Sequence, residues 1–218
     1  YKTTTEQVFV GYKEVKTGAT NLNVSGSNTA KASANAKGIT IGGIFSSGNN
    51  QAFTNNKAVT NVTLNSGSEK TLLNSLNVTA AGTSDNTAKA DGSGGGLIGA
   101  DLAAWVKNDS QAKVDATLSG NFTVEGDVTV NALQSDTANI NADALKATLV
   151  GASATKAENN IGGATNANIT GATITGGGKL DVNAANIITF GNTEQYAVEG
   201  SGYGGVNVQG AQFDNTIS

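Results

Sequence analysis

Seven carboxylates crowd the middle of the chain, at Asp85, Asp91, Asp101, Asp109, Asp115, Glu125 and Asp127. Carboxylates stacked on successive coils of a repeating fold suit Ca²⁺, which takes about six to eight oxygen ligands. The same run is what a solvated acidic face looks like, and that is the expectation; no metal site is assigned. Glu125 and Asp127 are two residues apart, so on a strand they face the same side. That is a workable pairing for glycoside hydrolysis. Polysaccharide-cleaving sites of this sort usually add Lys, Arg or His at a groove, and this chain contains neither Arg nor His. Residues 92–99 (GSGGGLIG) look like a phosphate-cradling loop. No Lys-Ser/Thr follows them and no acidic residue stands in a βαβ setting, so a structural turn is expected. The expected site list is therefore empty: no catalytic residue, no cofactor, no metal, and no enzyme.

The remaining chemistry is aromatic. Trp105, Tyr196, Tyr203 and Phe53 stand among small residues; exposed, they would stack on sugar rings or anchor a partner. For Trp105 a core or end-capping place is expected ahead of ligand contact. Phe45, Phe122 and Phe190 sit in apolar runs and read as core. Six Asn-x-Ser/Thr sequons, at Asn23, Asn61, Asn77, Asn108, Asn121 and Asn168, are about what chance gives in a chain so rich in Asn and Thr. The alternating Thr of residues 170–175 suggests an ice-binding face, but the other copies described below do not repeat it.

The elements that must position these residues follow from a narrow alphabet. Ala, Gly, Asn and Thr make up just over half of the 218 residues; Cys, His, Met, Pro and Arg are missing. Without His and Cys, most zinc, haem and iron–sulfur chemistry and the common nucleophile pairs are excluded. A net charge of −4 with scattered Lys lacks the basic stripe that nucleic acid needs. No apolar run approaches the roughly 18 residues of a membrane-spanning helix. Without Met the chain is expected to be processed, or an interior piece of something longer.

Short runs alternate apolar and polar residues, at 8–10, 22–24, 59–64, 76–78, 113–118, 122–130, 167–174 and 180–182, with Gly, Asn, Asp and Ser between them. That is the signature of many short strands. Residues 97–106 suit either a strand with a bend or a turn or two of helix. Internal repetition decides the architecture. Leu-Asn-Val recurs at Leu22 and Leu76, Asn-Thr-Ala-Lys-Ala at Asn28 and Asn86, and a Gly pair with two apolar residues at Gly42 and Gly95. A third copy replaces the second motif with Asp136-Thr137-Ala138-Asn139 and carries Leu149-Val150-Gly151-Ala152 against Leu97-Ile98-Gly99-Ala100. A fourth opens on Leu180-Asp181-Val182, continues through Asn192-Thr193, and echoes residues 91–96 at 199–205. Residues before about 20 look like the tail of another copy. The period is 52–54 residues (Ile44 to Leu97 is 53).

β-Helix coils take about 20–27 residues, so each repeat is expected to make two coils. The fold expected is all-β, a right-handed parallel β-helix. It forms a single solenoid over residues 1–218 with repeats at about 22–75, 76–127, 128–179 and 180–218. Ala, Thr and Val suit a thin core, Asn can stack between coils, and Pro would remove ladder donors.

Asn-Thr-Ala-Lys-Ala, the Gly run with Leu-Ile-Gly-Ala, and Ala-Lys-Val flanked by Thr resemble the repeats of large filamentous adhesins. These are the leukotoxin-like and haemagglutinin-like secreted bacterial proteins. The clearest stretch is residues 86–118, with weaker copies over most of the chain. The resemblance implies export by a type V route, a right-handed parallel β-helix, and adhesion, biofilm contact or toxin delivery. The chain carries no match to the family's amino-terminal secretion domain. The function expected is a structural and adhesive segment of a bacterial surface filament, secreted and non-catalytic. Its partners would be neighbouring repeats or protomers and host-cell or glycan receptors. The alternative is a self-assembling filament subunit joined end to end or by strand addition; a polysaccharide-acting enzyme is the remote third.

Overall fold

A computed structural model describes residues 5–11, 21–191 and 196–218 of the chain. The described residues are almost entirely strand. β1 is Thr5–Gly11, β2 Asn21–Ile41, β3 Phe45–Asn56, β4 Val59–Leu73 and β5 Ser75–Val124. β6 is Val128–Gly176, β7 Leu180–Phe190, β8 Tyr196–Tyr203 and β9 Val206–Ile217. They form one nine-stranded sheet in which every pairing is parallel. Residues 97–106 lie in β5 and take the strand form.

The sequence repeats become layers. β2, β3 and β4 together trace one layer; β5 traces the next, β6 the third, and β7, β8 and β9 the fourth. Leu22, Leu76, Val128 and Leu180 therefore stand in one column, and Val24, Val78, Val130 and Val182 in another. β1 pairs with residues 59–65 of β4, as the tail of a preceding copy should.

Two expectations need correction. Each repeat makes one layer, not two coils: paired residues are separated by 51 (Leu102 with Ser153) to 56 (Ile140 with Tyr196) positions. Segments half a repeat apart meet through side chains. The Asn56 amide donates to the Ala30 carbonyl, and Ser110 reaches Asp136, each across 26 positions. The small-coil count failed because strands at that spacing face one another instead of sharing a ladder.

The second correction concerns register. Asn-Thr-Ala-Lys-Ala does not stack on itself: Asn28 pairs with Gly82, and Asn86 with Ala32. Asp136 likewise lies over Ser84. Both slips are even-numbered, so inward residues stay inward. The Leu-Asn-Val anchors and the Gly corner hold the register at either end, where Phe45 pairs with Ile98 and Ile98 with Val150 as expected.

Corners depend on particular glycines. A β-carbon on Gly42 would fall 1.8 Å from the Phe45 carbonyl oxygen. Gly120 has φ +103° and lies against Ser66, whose hydroxyl accepts from the Asn121 N–H at 2.7 Å. Only glycine meets both demands.

Two lanes fill most of the interior, beside a small cluster of Ala30, Ala58 and Ala112. One is mainly aliphatic, with Phe122 its one named aromatic: Leu64, Val78, Leu118, Phe122 and Val130, all buried. The other is built from Ala88, Ala104, Val106, Ile140 and Ala157. Buried polar side chains accompany this second lane, among them Asn56, Ser84, Asn86, Asn108, Ser110 and Asp136.

Candidate contact surface

The acidic residues of the sequence do not gather. All seven belong to a single pass of chain, so they are distributed around one layer instead of stacking. Asp85 pairs with Lys31 at 3.6 Å and Asp91 with Lys37 at 3.5 Å. Asp115 meets Lys113 at 2.9 Å and accepts from the Asn166 amide at 2.7 Å. Asp109 accepts from Gln111 and Asn160. The Asp101 side chain lies outside the described residues. Among the described residues no three metal-ligating side chains converge. Glu125 and Asp127 lie between β5 and β6 and not on a strand, which removes the alternation that would have aligned them. Asp127 instead accepts from the Lys179 backbone N–H at 2.8 Å.

Residues 92–99, expected as a turn, stay in β5. Phe122 is core, but Phe45 is 75% exposed and Phe190 is 36% exposed. Phe45 stands at a corner, and Phe190 lies in the last described layer, with a paired strand on one side only. Tyr203 is exposed at the end of β8. Tyr196, whose backbone belongs to β8, has its side chain outside the described residues, as do Asn192 and Thr193.

Trp105 is not in the core either. Ala104 and Val106 point inward and are fully buried, so the alternation of β5 turns Trp105 outward. It stands in a column between Gln51 of β3 and Lys156 of β6. Phe53 meets its ring edge-on, with centroids 5.0 Å apart and planes at 79°. The Lys156 ammonium lies 5.7 Å from the ring centroid, within cation–π range. Lys156 is itself held by Glu158 and by Asp214 at 3.8 Å, and Lys107 reaches Glu158 at 3.5 Å. The Lys156 hydrogen bond holds the Glu158 carboxyl below its ordinary range, and the same bond raises Lys156.

A cleft of about 300 Å³ opens beside this ring, lined by Asn49, Ala104, Trp105, Ala154, Thr155 and Lys156. The indole Nε1 is buried and has no hydrogen-bond partner. The cleft thus offers part of an apolar ring and an ammonium group shared with Glu158 and Asp214, while the buried Nε1 is not presented to it. That set suits a ligand with a C–H face to lie against the ring and an oxygen to meet the ammonium, as a sugar ring has.

Two features were missed by the sequence reading. One is Asp136, buried within the polar lane, where Ser110 and Gln134 donate to one oxygen, each at 3.1 Å. Burial raises its carboxyl above the usual range by more than its hydrogen bonds lower it. No local signal marks it, because its partners come from residues 84 and 110 as well as from its own strand. The other is an exposed apolar corner, for which the adjacent pairs Ile44-Phe45, Leu97-Ile98 and Leu149-Val150 were the available signal. No family model, no curated protein and no solved structure matches this chain.

Proposed function

We propose that this chain is a structural and adhesive segment of a secreted bacterial surface filament. It folds as a right-handed parallel β-helix, a single solenoid through residues 1–218, and serves reach and contact instead of catalysis. The observation that carries the reading is the in-register stacking of whole repeats. Each layer adds one ladder step along the axis, and the same columns recur without a new element being introduced. The resemblance to filamentous adhesin repeats supports the same reading. Contact is made through the Trp105 cleft, whose chemistry fits the rings of host-cell glycans.

Two measurements test this. Electron micrographs and fibre diffraction of the native protein should give a shaft with an axial spacing of about 4.8 Å. Filaments built from repeating 218-residue units would instead favour the self-assembling subunit. Trp105 is the chain's one Trp, so its fluorescence reports directly on the cleft. Titration with cell-surface oligosaccharides should shift that emission, and cell binding should fall in Trp105→Ala. Cell binding undiminished in that variant would remove the cleft from the proposal.

A further inference from the structure

The Trp105 cleft meets its ligand with almost no free charge. Among the described residues that line it, Lys156 is the one charged side chain; Asn49, Ala104, Trp105, Ala154 and Thr155 are neutral. Lys156 is not an isolated cation. Glu158 bonds its ammonium, Asp214 stands 3.8 Å away, and Lys107 reaches Glu158 at 3.5 Å. The groups come from successive layers: Lys107 from β5, Lys156 and Glu158 from β6, and Asp214 from β9. Lys107, Glu158 and Asp214 share one column, and Trp105, Lys156 and Gln212 share the column two positions before it. Gln212 donates to Asp214 at 2.9 Å, which holds that carboxylate toward the cleft column. The register itself thus brings two cations and two carboxylates together, and their charges cancel.

That cancellation decides what the ammonium can accept. A Lys ammonium carries three N–H donors; the carboxylates take up part of that set and neutralise its charge. What is left for a ligand is a donor to an oxygen lone pair, with no net charge behind it. A hydroxyl or ether oxygen of a neutral sugar uses such a donor while its C–H face lies against the indole. A sialic or uronic acid presents a carboxylate instead. That group would be a third anion beside two cations, and it would have to draw Lys156 away from Glu158 or Asp214. Repulsion between like charges, little screened beside apolar walls, opposes it.

Resting on the reading of this cleft as a glycan site, we propose that it selects neutral sugars and turns away those bearing a carboxylate, with Glu158 and Asp214 as the residues that set the selectivity. The probes are sialylated cell-surface oligosaccharides, the same oligosaccharides after sialidase treatment, and trigalacturonate with its methyl ester. Each is titrated against the full chain and followed by Trp105 emission. The neutral member of each pair should bind about tenfold or more tightly than the acidic one. Asp214→Asn keeps an oxygen for Gln212 and leaves the cleft with one unbalanced positive charge. It should strengthen acidic sugars several-fold and leave neutral ones unchanged, and Glu158→Gln should act in the same direction. Acidic sugars that bind the wild type as tightly as their neutral partners would overturn the selectivity and leave the glycan site standing. So would a preference that both variants leave unmoved. No emission change with any of these sugars would overturn the glycan reading itself, and the selectivity with it.

Discussion

The two interior lanes solve the same stacking problem with different chemistry. In the aliphatic lane, Leu64, Val78, Leu118 and Phe122 are almost completely buried and have no polar partner to satisfy. In the second lane the apolar residues are mostly alanines, and polar side chains bond from layer to layer. Thr54 donates to Asn108 at 3.0 Å, Asn108 to Asn159 at 2.7 Å, and Asn159 to Asn215 at 2.9 Å. An apolar column gains by area removed from water and tolerates a slip of two residues, because alternation is preserved. The amide ladder has its donors and acceptors aligned in one register only. The comparison assigns most of the stability to the first lane and the choice of register to the second.

The largest break should come from the aliphatic lane. Phe122 is 1% exposed within the main cluster, and Phe122→Ala should cost about 3–5 kcal/mol through lost transfer energy and the cavity left behind. Urea unfolding of the full chain measures this. A loss below that of the ladder variant described next would reverse the assignment of the two lanes.

Asn108→Val keeps the volume of its column roughly constant while removing both ladder bonds. It leaves Thr54 without its 3.0 Å acceptor and Asn159 without its 2.7 Å donor. The expected loss is about 1–3 kcal/mol, the cost of stranding buried polar groups. Distances between spin labels at Ser33 and Thr87, a paired position in β2 and β5, should broaden if the ladder selects the register. A variant that is as stable as the parent and has one sharp distance would show that this lane only fills space.

The sequence disclosed the layers and concealed how they fit. Strand character, parallel stacking and the 53-residue step at Ile44 and Leu97 follow from alternation and repetition, which act locally and are visible as pattern. The size of a layer was not legible, because facing strands and paired strands leave the same periodicity. The Asn-Thr-Ala-Lys-Ala motifs look like a register mark but are offset by four. Their matching letters carry less weight than the continuous ladder running from Leu22 to Ile41. Trp105 could be named as a candidate, but its outward direction depends on the phase of β5, which only its buried neighbours Ala104 and Val106 establish. Asp136 was invisible because its environment comes from three distant segments.

Asp136 sharpens the comparison, being a carboxyl placed where the ladder lane could have held an amide. Its second oxygen is buried without a hydrogen bond, and burial lifts the carboxyl above the usual carboxylate range. The folded state therefore holds the proton more tightly than the unfolded chain does. Stability from this group is fully present below the unfolded pKa and is lost as pH rises through the folded one. Asp136→Asn should raise the unfolding free energy at pH 7 and flatten its decline from acid toward neutral pH. Denaturant titrations at a series of pH values check both. An unchanged slope would mean that the carboxyl is solvated and that the polar lane admits water.

The smallest effect should lie outside both lanes. Lys31 and Asp85 approach to 3.6 Å with side chains 72% and 37% exposed, so water and salt screen the pair and Lys31→Ala should cost no more than about 0.5 kcal/mol. The pair exists because the register places Lys31 directly over Asp85, as it places Lys37 over Asp91. Coulombic preference for those contacts would also have to overcome the alignment set by Leu22 with Leu76 and Val24 with Val78. A double-mutant cycle with Asp85→Asn, repeated at high and low salt, isolates the coupling. A coupling near zero at physiological salt makes the outer ion pairs a consequence of register. A coupling as large as the cost of Asn108→Val would move the choice of register to the outer face, leaving the amide ladder to follow it.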